Sequence, residues 1–157
     1  MEFLSHSRVY LAIQKSPEGG KIITTYLVFG GNAKEAVDYY AKVFDGNVSY
    51  MMRYNDMPKK DKEEMKGMED AVIHANVDTF VGQIMLSDSM PDEKPTPSDA
   101  LWINVSHEDL DKLQKVFDAM AEEGEVIMPL EETFFSPLYG QVKDKYGFYW
   151  MIMSSEE

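Results

Sequence analysis

The feature that most constrains this chain is an internal repeat. The pattern Glu-x-x-Asp-x-x-x-Lys-Val-Phe-Asp occupies residues 35–45 and recurs 73 residues later, at residues 108–118. Both copies lie within a predicted helix. A match at a fixed period indicates a duplicated module, although chance or shared helix-surface chemistry is the alternative. Two such modules are related by a pseudo-twofold axis, so we expect the functional site in a cleft between the halves.

The order of predicted elements supports the duplication. Each copy is followed by strand-like runs that end in a hairpin glycine, Gly82 or Gly147, and a valine, Val77 or Val142, precedes each glycine at the same distance. Each half therefore reads strand, helix, strand, strand, strand. We place an N-terminal extension at residues 1–21, the first module at 22–88, a proline-rich linker at 89–99 and the second module at 100–157.

Composition indicates a folded globular protein. The 157 residues are 44% apolar, which is enough for a packed core, and the absence of cysteine excludes disulfides, thiolate metal sites and cysteine nucleophiles. A formal charge of −13 disfavours nucleic acid and anionic membranes as partners. The apolar run Val9–Ile13 is too short for a signal peptide, and no segment reaches the length of a membrane span. These features predict a cytoplasmic location.

Two amphipathic helices are predicted, one in each module. The first follows Gly30-Gly31 with Asn32 as its N-cap. The second begins at Ser106 and ends at a C-cap glycine, Gly124. Apolar spacing predicts that these helices bury Ala33, Val37, Tyr40 and Phe44, and Leu110, Leu113, Phe117 and Met120. Strands are predicted at residues 22–29, 47–54, 71–78, 82–88, 100–105, 125–133, 138–143 and 148–153.

Two segments keep alternative interpretations. The extension contains a strand-like run, Arg8–Gln14, which is an extra edge strand, a dimer arm or a start-site artefact. The charged, methionine-rich stretch 56–70 is too polar for the core and too long for a tight turn. It is either a lid beside a pocket or an ordinary mobile loop.

Strand alternation separates an apolar face from a mixed face in the first module. A tight turn at Phe80-Val81 pairs Val77 with Ile84 and Ala75 with Leu86, and this apolar face should meet the helix. The opposite face collects His74, Asn76, Met85 and Ser87. Polar and methionine side chains together suit the lining of a cleft, because a helix packed there would leave imidazole and amide groups unsatisfied.

His74 is the candidate functional residue on this face. It is either a structural histidine bonded to a neighbour or a residue for ligand binding or proton transfer. A catalytic metal site normally needs about three protein ligands, and no convergent partners are evident. A phosphate-binding glycine loop, a dinucleotide fingerprint and a G-x-S-x-G elbow are also absent. Four methionines are either core filler or an adaptable wall, namely Met85, Met128, Met151 and Met153.

Four stretches of the sequence resemble the vicinal oxygen chelate superfamily of glyoxalase, bleomycin-resistance and dioxygenase proteins, and within it the PhnB-like branch. The resemblance covers residues 21–153 and is carried by Phe-Gly-Gly-Asn-Ala-x-Glu-Ala-Val-Asp-Tyr-Tyr-x-x-Val-Phe at 29–44, Ile-His-Ala at 73–75, Ile-Met-Leu-Ser-Asp at 84–88, and Tyr-Gly-x-Val-x-Asp-x-x-Gly-x-x-Trp at 139–150. It implies an α+β fold of two βαβββ modules in tandem, with curved mixed sheets around a cleft, and a homodimer.

The resemblance carries over the pocket but not the metal. The metal enzymes of the superfamily hold their ligands on the first and last strands of each module, which fall here near Thr25, Met85, residues 100–102 and Met151. None of these is His or Glu. The branch commonly has Trp-Gly-Asp-Arg before its Tyr-Gly pair, whereas residues 135–138 here read Phe-Ser-Pro-Leu. The branch is often labelled 3-demethylubiquinone 3-methyltransferase-like, and we treat that label as a name because no methyl-donor motif is present.

The sequence leaves several functions open. We expect a cytoplasmic homodimer that binds an apolar or aromatic small molecule without cofactor or metal. A metal-independent enzyme with His74 as general acid or base is the alternative. A metal-dependent lyase or dioxygenase is disfavoured, and a purely structural dimer module is the remaining alternative. The predicted ligand-binding residues are His74, Asn76, Met85, Ser87, Thr25, Phe135, Tyr139 and Met151.

Overall fold

The computed structural model describes residues 23–58 and 67–155. In chain order the elements are β1 (Thr25–Phe29), α1 (Ala33–Val43), β2 (Asn47–Arg53), a 3-10 turn (Tyr54–Asp56), β3 (Val72–Thr79), β4 (Gly82–Asp88), β5 (Trp102–His107), α2 (Leu110–Glu123), β6 (Glu125–Thr133), β7 (Ser136–Lys143) and β8 (Tyr149–Ser154). The predicted strand Arg8–Gln14 and most of the predicted loop 56–70 lie outside the described residues.

The strands form two sheets with the same topology. The orders are β1-β4-β3-β2 and β5-β8-β7-β6, and in each sheet the first strand runs parallel to the last while the other neighbours are antiparallel. Each sheet carries one helix. The predicted pair of βαβββ modules is therefore confirmed. None of the helices in the described ranges is long and apolar enough to cross a membrane.

The predicted β3–β4 hairpin is confirmed in its register. Val77 pairs with Ile84 and Ala75 with Leu86, across a turn at residues 80 and 81. The hairpin glycine of this module, Gly82, has φ 133°. Such a positive φ is readily adopted only by glycine, which explains the residue type at this turn.

A single core joins the two modules. The predicted stripe of α1 is buried, and its Tyr40 and Phe44 rings lie 5.8 and 5.7 Å from the ring of Trp150 in the other module. The apolar faces of both sheets contribute to the same cluster, through residues such as Leu86 and Ile152. The helix side of each sheet therefore faces inward, and the opposite side of each sheet faces away from this core.

The modules do not correspond in the register of the sequence repeat. Glu35 lies inside α1, whereas its repeat partner Glu108 precedes α2. An offset of 77 residues instead brings the buried positions together: Ala36, Tyr39, Tyr40 and Val43 of α1 correspond to Leu113, Val116, Phe117 and Met120 of α2. The 73-residue match is about one helical turn out of register, because exposed charges recur from turn to turn and do not report which turn is buried.

The predicted start of α2 was wrong by four residues. Ser106 belongs to β5, which continues to His107 because it stays paired with β8 as far as Ser154. The N-cap is Asp109, whose Oδ1 accepts a 3.1 Å hydrogen bond from the backbone N–H of Lys112. Leu110 is consequently not an inward residue and is 43% exposed. The predicted C-cap at Gly124 is confirmed.

Candidate functional site

Each sheet has a side that faces away from the helices, and we call these sides face A and face B. Their members follow from strand alternation and cross-strand pairing. Face A, on the first sheet, is formed by Tyr26, Val28, Tyr50, Met52, His74, Asn76, Met85 and Ser87. Face B, on the second sheet, is formed by Trp102, Asn104, Ser106, Met128, Glu131, Tyr139, Gln141, Lys143, Tyr149, Met151 and Met153.

His74 is the centre of a hydrogen-bonded cluster on face A. Its Nε2 lies 2.6 Å from Asn76 Oδ1, and its Nδ1 lies 3.2 Å from the hydroxyl of Tyr26. Because an amide oxygen only accepts, Nε2 carries the proton and Nδ1 accepts from Tyr26. The rings of Tyr26 and Tyr50 lie 5.6 and 6.0 Å from the imidazole, which is only 1% exposed.

Burial sets the charge of this imidazole. Desolvation lowers the pKa of His74 below its usual value, and the hydrogen bond to Asn76 opposes this only in part. The ring is therefore neutral near pH 7, in the tautomer that its partners require. Both ring nitrogens of His74 are thus hydrogen-bonded within the protein, to Tyr26 and Asn76.

Face B carries a related cluster. Tyr139 accepts a 2.8 Å hydrogen bond from Gln141 Nε2, and its own hydroxyl donates to Met151 Sδ at 3.5 Å. Cross-strand pairing makes these positions equivalent to those of face A, since Gln141 pairs with Met151 as Asn76 pairs with Met85. Each module thus has a hydrogen-bonded pair of residues two positions apart on one strand, and this pair lies beside a methionine at the same place in both sheets.

The predicted ligand-binding residues fall into three groups. His74, Asn76, Met85 and Ser87 share face A, as expected from their alternation. Tyr139 and Met151 lie on face B, and Phe135 is beside them at the β6–β7 turn, with its ring 5.0 Å from that of Tyr139. The structure places Thr25 apart from both groups.

Thr25 lies on the helix side of the first sheet. It pairs with the core residue Ile84, and the neighbouring residue Tyr26 instead pairs with Met85 on face A. Thr24 also reaches this face, with its hydroxyl 3.8 Å from Met85 Sδ. The prediction missed Tyr26 because it placed β1 one residue out of phase.

Two polar residues of face B were also missed. Gln141 is bonded to Tyr139, and Asn104 pairs with Met151 across the parallel β5–β8 contact. Sequence signals were available for both. Gln141 lies two residues after Tyr139 on a strand, and Asn104 alternates with the core residue Val105.

The donor set of the two faces does not fit a catalytic divalent metal. The pairs on the first and last strands of the modules are Tyr26 with Met85 and Asn104 with Met151. Phenol, amide and thioether groups do not supply the imidazole and carboxylate ligands that a catalytic zinc or iron site requires. In the described ranges no three His, Asp or Glu side chains converge on one point.

A separate cavity of about 510 Å³ lies at the start of α1, beside Gly31, Lys34 and Arg53. The helix start resembles an anion-binding geometry, but Asp88 already fills that role. Its Oδ1 accepts 2.9 Å hydrogen bonds from the backbone N–H groups of Gly31 and Ala33, and its Oδ2 accepts one from Val72. This buried carboxylate makes the helix start unsuitable for a phosphate.

Comparison with known proteins identifies the family. The model of the family described as 3-demethylubiquinone-9 3-methyltransferase matches residues 21–153. The chain belongs to this family. Protein YjdN of Escherichia coli (strain K12) is 31% identical over 137 residues, which cover 83% of this chain and 92% of YjdN.

Solved structures agree with this assignment and extend the fold relationship. The PhnB protein from Bacillus cereus is 32% identical, with a TM-score of 0.67 over 86% of this chain and 100% of that protein. The fosfomycin resistance protein FosX from Mesorhizobium loti is 7% identical, with a TM-score of 0.55 over 87% of this chain and 92% of FosX. At that identity the likeness concerns the fold alone, which is the vicinal oxygen chelate fold of two tandem modules.

Proposed function

We propose that this protein binds a small, apolar or aromatic molecule on faces A and B, without a catalytic metal, as a cytoplasmic homodimer. The observation that carries the proposal is the pair of equivalent clusters, His74 with Asn76 and Tyr139 with Gln141, each beside a methionine. Small-molecule sites typically combine apolar walls with a few placed polar groups, as these clusters do.

The arrangement of the modules supports the homodimer. Faces A and B turn away from the shared core, so they do not wall the cleft that we expected between the halves of one chain. Both faces can wall one cleft when face A of one copy stands opposite face B of a second copy. Several large apolar side chains on these faces are partly open to solvent, including Tyr26 at 46% and Val28 at 39%. Covering them would contribute a hydrophobic driving force to dimer formation.

A binding role is favoured over catalysis by His74. A general acid or base must reach the proton that it transfers, directly or through one water. Both nitrogens of His74 are instead bonded to Tyr26 and Asn76 within the protein. The methyltransferase named in the family description is not part of the proposal, because Asp88 occupies the glycine-rich turn after the parallel strand β1.

Methyl NMR of methionine-labelled protein tests where molecules bind. Met85 and Met151 report on faces A and B, and Met120, which is fully buried in α2, is the internal control. The expected result with 2-naphthol as the probe is a saturable shift of the Met85 and Met151 methyl signals and none at Met120. Saturable shifts confined to methionines outside the two faces, such as Met90, would contradict the proposed site.

Metal analysis of the purified protein tests the second part of the proposal. We expect substoichiometric zinc, iron, manganese and nickel, and no rise in melting temperature with these cations or fall with a chelator. A stoichiometric metal, or strong stabilisation by one cation, would overturn the metal-free assignment and favour lyase or dioxygenase chemistry. Sedimentation of the same sample should give twice the monomer mass.

A further inference from the structure

The charged side chains of faces A and B lie at the strand ends or on the edge strand β6. On face A the described strands contribute one charged residue, Asp78, whose Oδ1 accepts a 2.7 Å hydrogen bond from Gln83. On face B, Glu131 stands opposite Tyr139 on the edge strand β6, and Lys143 stands opposite Glu125 at the end of β7. The strands β4 and β8 contribute no charged side chain to either face.

Among the described residues, Lys143 brings an ammonium group to these faces, and an adjacent carboxylate neutralises it. Lys143 Nζ lies 2.7 Å from Glu125 Oε2 and 5.8 Å from the centre of the Tyr149 ring. Its attraction for an anion is therefore largely cancelled by the adjacent carboxylate. His74 adds no positive charge at neutral pH, because burial lowers its pKa and its Nδ1 accepts from Tyr26.

An anion would be unfavourable on such a surface for two reasons. A carboxylate or phosphonate taken out of water without a cationic partner loses its solvation and gains no compensating ion pair. The formal charge of −13 adds a general repulsion that is strongest at low ionic strength.

Aromatic rings on the two faces favour a positively charged ligand over an anion. The rings of Trp102 and Tyr149 lie 4.9 Å apart on face B, and those of Tyr26 and Tyr50 flank His74 on face A. The negative face of an aromatic ring attracts cations and stacks on flat neutral molecules. The carboxylates of Asp78 on face A and Glu131 on face B also favour a cation over an anion.

We infer that the site on faces A and B selects neutral or cationic aromatic molecules and rejects organic anions, an inference that rests on the proposed function. It assigns the class of ligand, which the binding proposal leaves open. Within one aromatic framework, affinity should rise from anion to neutral molecule to cation, and the differences should shrink as salt is added.

Three probes with the same ring system test this order. They are 2-naphthoate, 2-naphthol and 2-naphthylmethylammonium, each titrated at low and high salt with the Met85 and Met151 methyl signals as the readout. We expect 2-naphthoate to bind at least about tenfold more weakly than 2-naphthol. Equal binding of the anion and the neutral probe would overturn the inference and leave the proposed function standing. If no probe shifts Met85 or Met151, the proposed function fails and the inference fails with it.

A pair of charge-neutralising variants sharpens the test. Glu125→Gln frees the ammonium of Lys143 beside face B, so 2-naphthoate should bind several-fold more tightly. Asp38→Asn is the matched control, because it changes the net charge by the same amount and frees the ammonium of Lys34 on α1, away from both faces. The two ion pairs are similarly exposed: the side-chain exposures are 39% and 63% for Lys34 and Asp38, and 34% and 60% for Lys143 and Glu125. A gain of the same size in Asp38→Asn would show that only net charge matters and would overturn the assignment to faces A and B.

Discussion

The hydroxyl of Tyr40 in the first module donates a 2.6 Å hydrogen bond to Oδ2 of Asp144 in the second. Asp144 is 2% exposed and also accepts from the indole N–H of Trp150 at 2.8 Å and from the backbone N–H groups of Tyr146 and Phe148. Burial raises the pKa of Asp144, and these four donors oppose that shift. One buried carboxyl group thus connects α1 to the β7–β8 turn of the other module.

Removing the Tyr40 hydroxyl should therefore weaken the contact between the modules. In Tyr40→Phe the carboxylate of Asp144 loses its shortest hydrogen bond while it stays buried, and we expect a loss of about 1.5–3 kcal/mol in the free energy of unfolding. Urea denaturation followed by circular dichroism measures the change.

The adjacent tyrosine provides the control for this substitution. The Tyr39 hydroxyl is buried without a hydrogen-bond partner among the described residues. Tyr39→Phe removes a hydroxyl that has no hydrogen bond to lose, so the free energy of unfolding of this variant should be unchanged or slightly higher than that of the unmodified protein. Equal destabilisation by the two variants would show that the Tyr40–Asp144 bond contributes nothing specific.

His74 should make stability depend on pH in a defined direction. Its pKa is lowered in the folded protein by burial, so between that pKa and the ordinary value of 6.5 the unfolded chain binds more protons. The free energy of unfolding therefore falls as the pH is lowered through this window and is recovered as the pH is raised.

Denaturation at about pH 7.5 and about pH 5 measures this dependence. The His74→Gln variant retains an amide that can bond to Asn76 but does not titrate, so its stability should change less between the two values. Titration of the His74 ring protons by NMR reads the pKa directly. A pKa at or above the ordinary value would contradict the neutral imidazole on which face A depends.

Local patterns predicted most of the fold. Helix spacing located the buried stripe of α1, and strand alternation gave the β3–β4 register, because both depend on neighbours a few residues apart. The repeat register was wrong because the four charged positions of the motif are exposed in both modules, where the same charges suit any helical turn. The boundary between β5 and α2 lies later than predicted, because the pairing of His107 with Ser154, which is distant in sequence, extends β5.

Positions of the candidate site that depend on one strand were predicted, and positions that depend on pairing between distant strands were not. Alternation alone placed His74 and Asn76 on one face, since both belong to one strand. Thr25 was misplaced because its side depends on pairing with Ile84, far away in sequence. The equivalence of Tyr139 with His74 could be recognised only from the register of both sheets.

The start of α1 shows how tertiary structure replaces a local cap. Asn32 occupies the predicted N-cap position, yet its side chain makes no capping hydrogen bond. Asp88, at the end of β4, accepts from Gly31 and Ala33 instead. Asp88→Ala should therefore cost about 1–3 kcal/mol of stability, because it leaves buried N–H groups unpaired.

The comparison with Asn32→Ala makes this prediction specific. Removal of the Asn32 side chain should cost less than about 0.5 kcal/mol, since no capping bond is lost. Thermal unfolding of both variants beside the unmodified protein ranks them. A larger loss for Asn32→Ala than for Asp88→Ala would mean that the local sequence motif, and not the tertiary contact, caps the helix.

The two modules correspond at the ends of their helices. Gly46 and Gly124 follow α1 and α2, and a Cβ at either position would lie 2.3 Å from a backbone oxygen of the neighbouring strand, that of Asp78 or of Lys143. Those two oxygens belong to equivalent residues of β3 and β7, since Asp78 pairs with Asn47 and Lys143 with Glu125, the first residues of β2 and β6. The close approach of each helix end to its sheet is thus the same in both modules.

Gly46→Ala and Gly124→Ala should both lose about 1–3 kcal/mol or more, because backbone must move to admit the methyl group. Gly30→Ala is the control, since the nearest atom to its added Cβ, in Pro95, is 3.8 Å away. It should change stability by less than about 0.5 kcal/mol. Urea denaturation of the three variants tests the correspondence, and a tolerated alanine at one of the two helix ends would show that the modules do not share this contact.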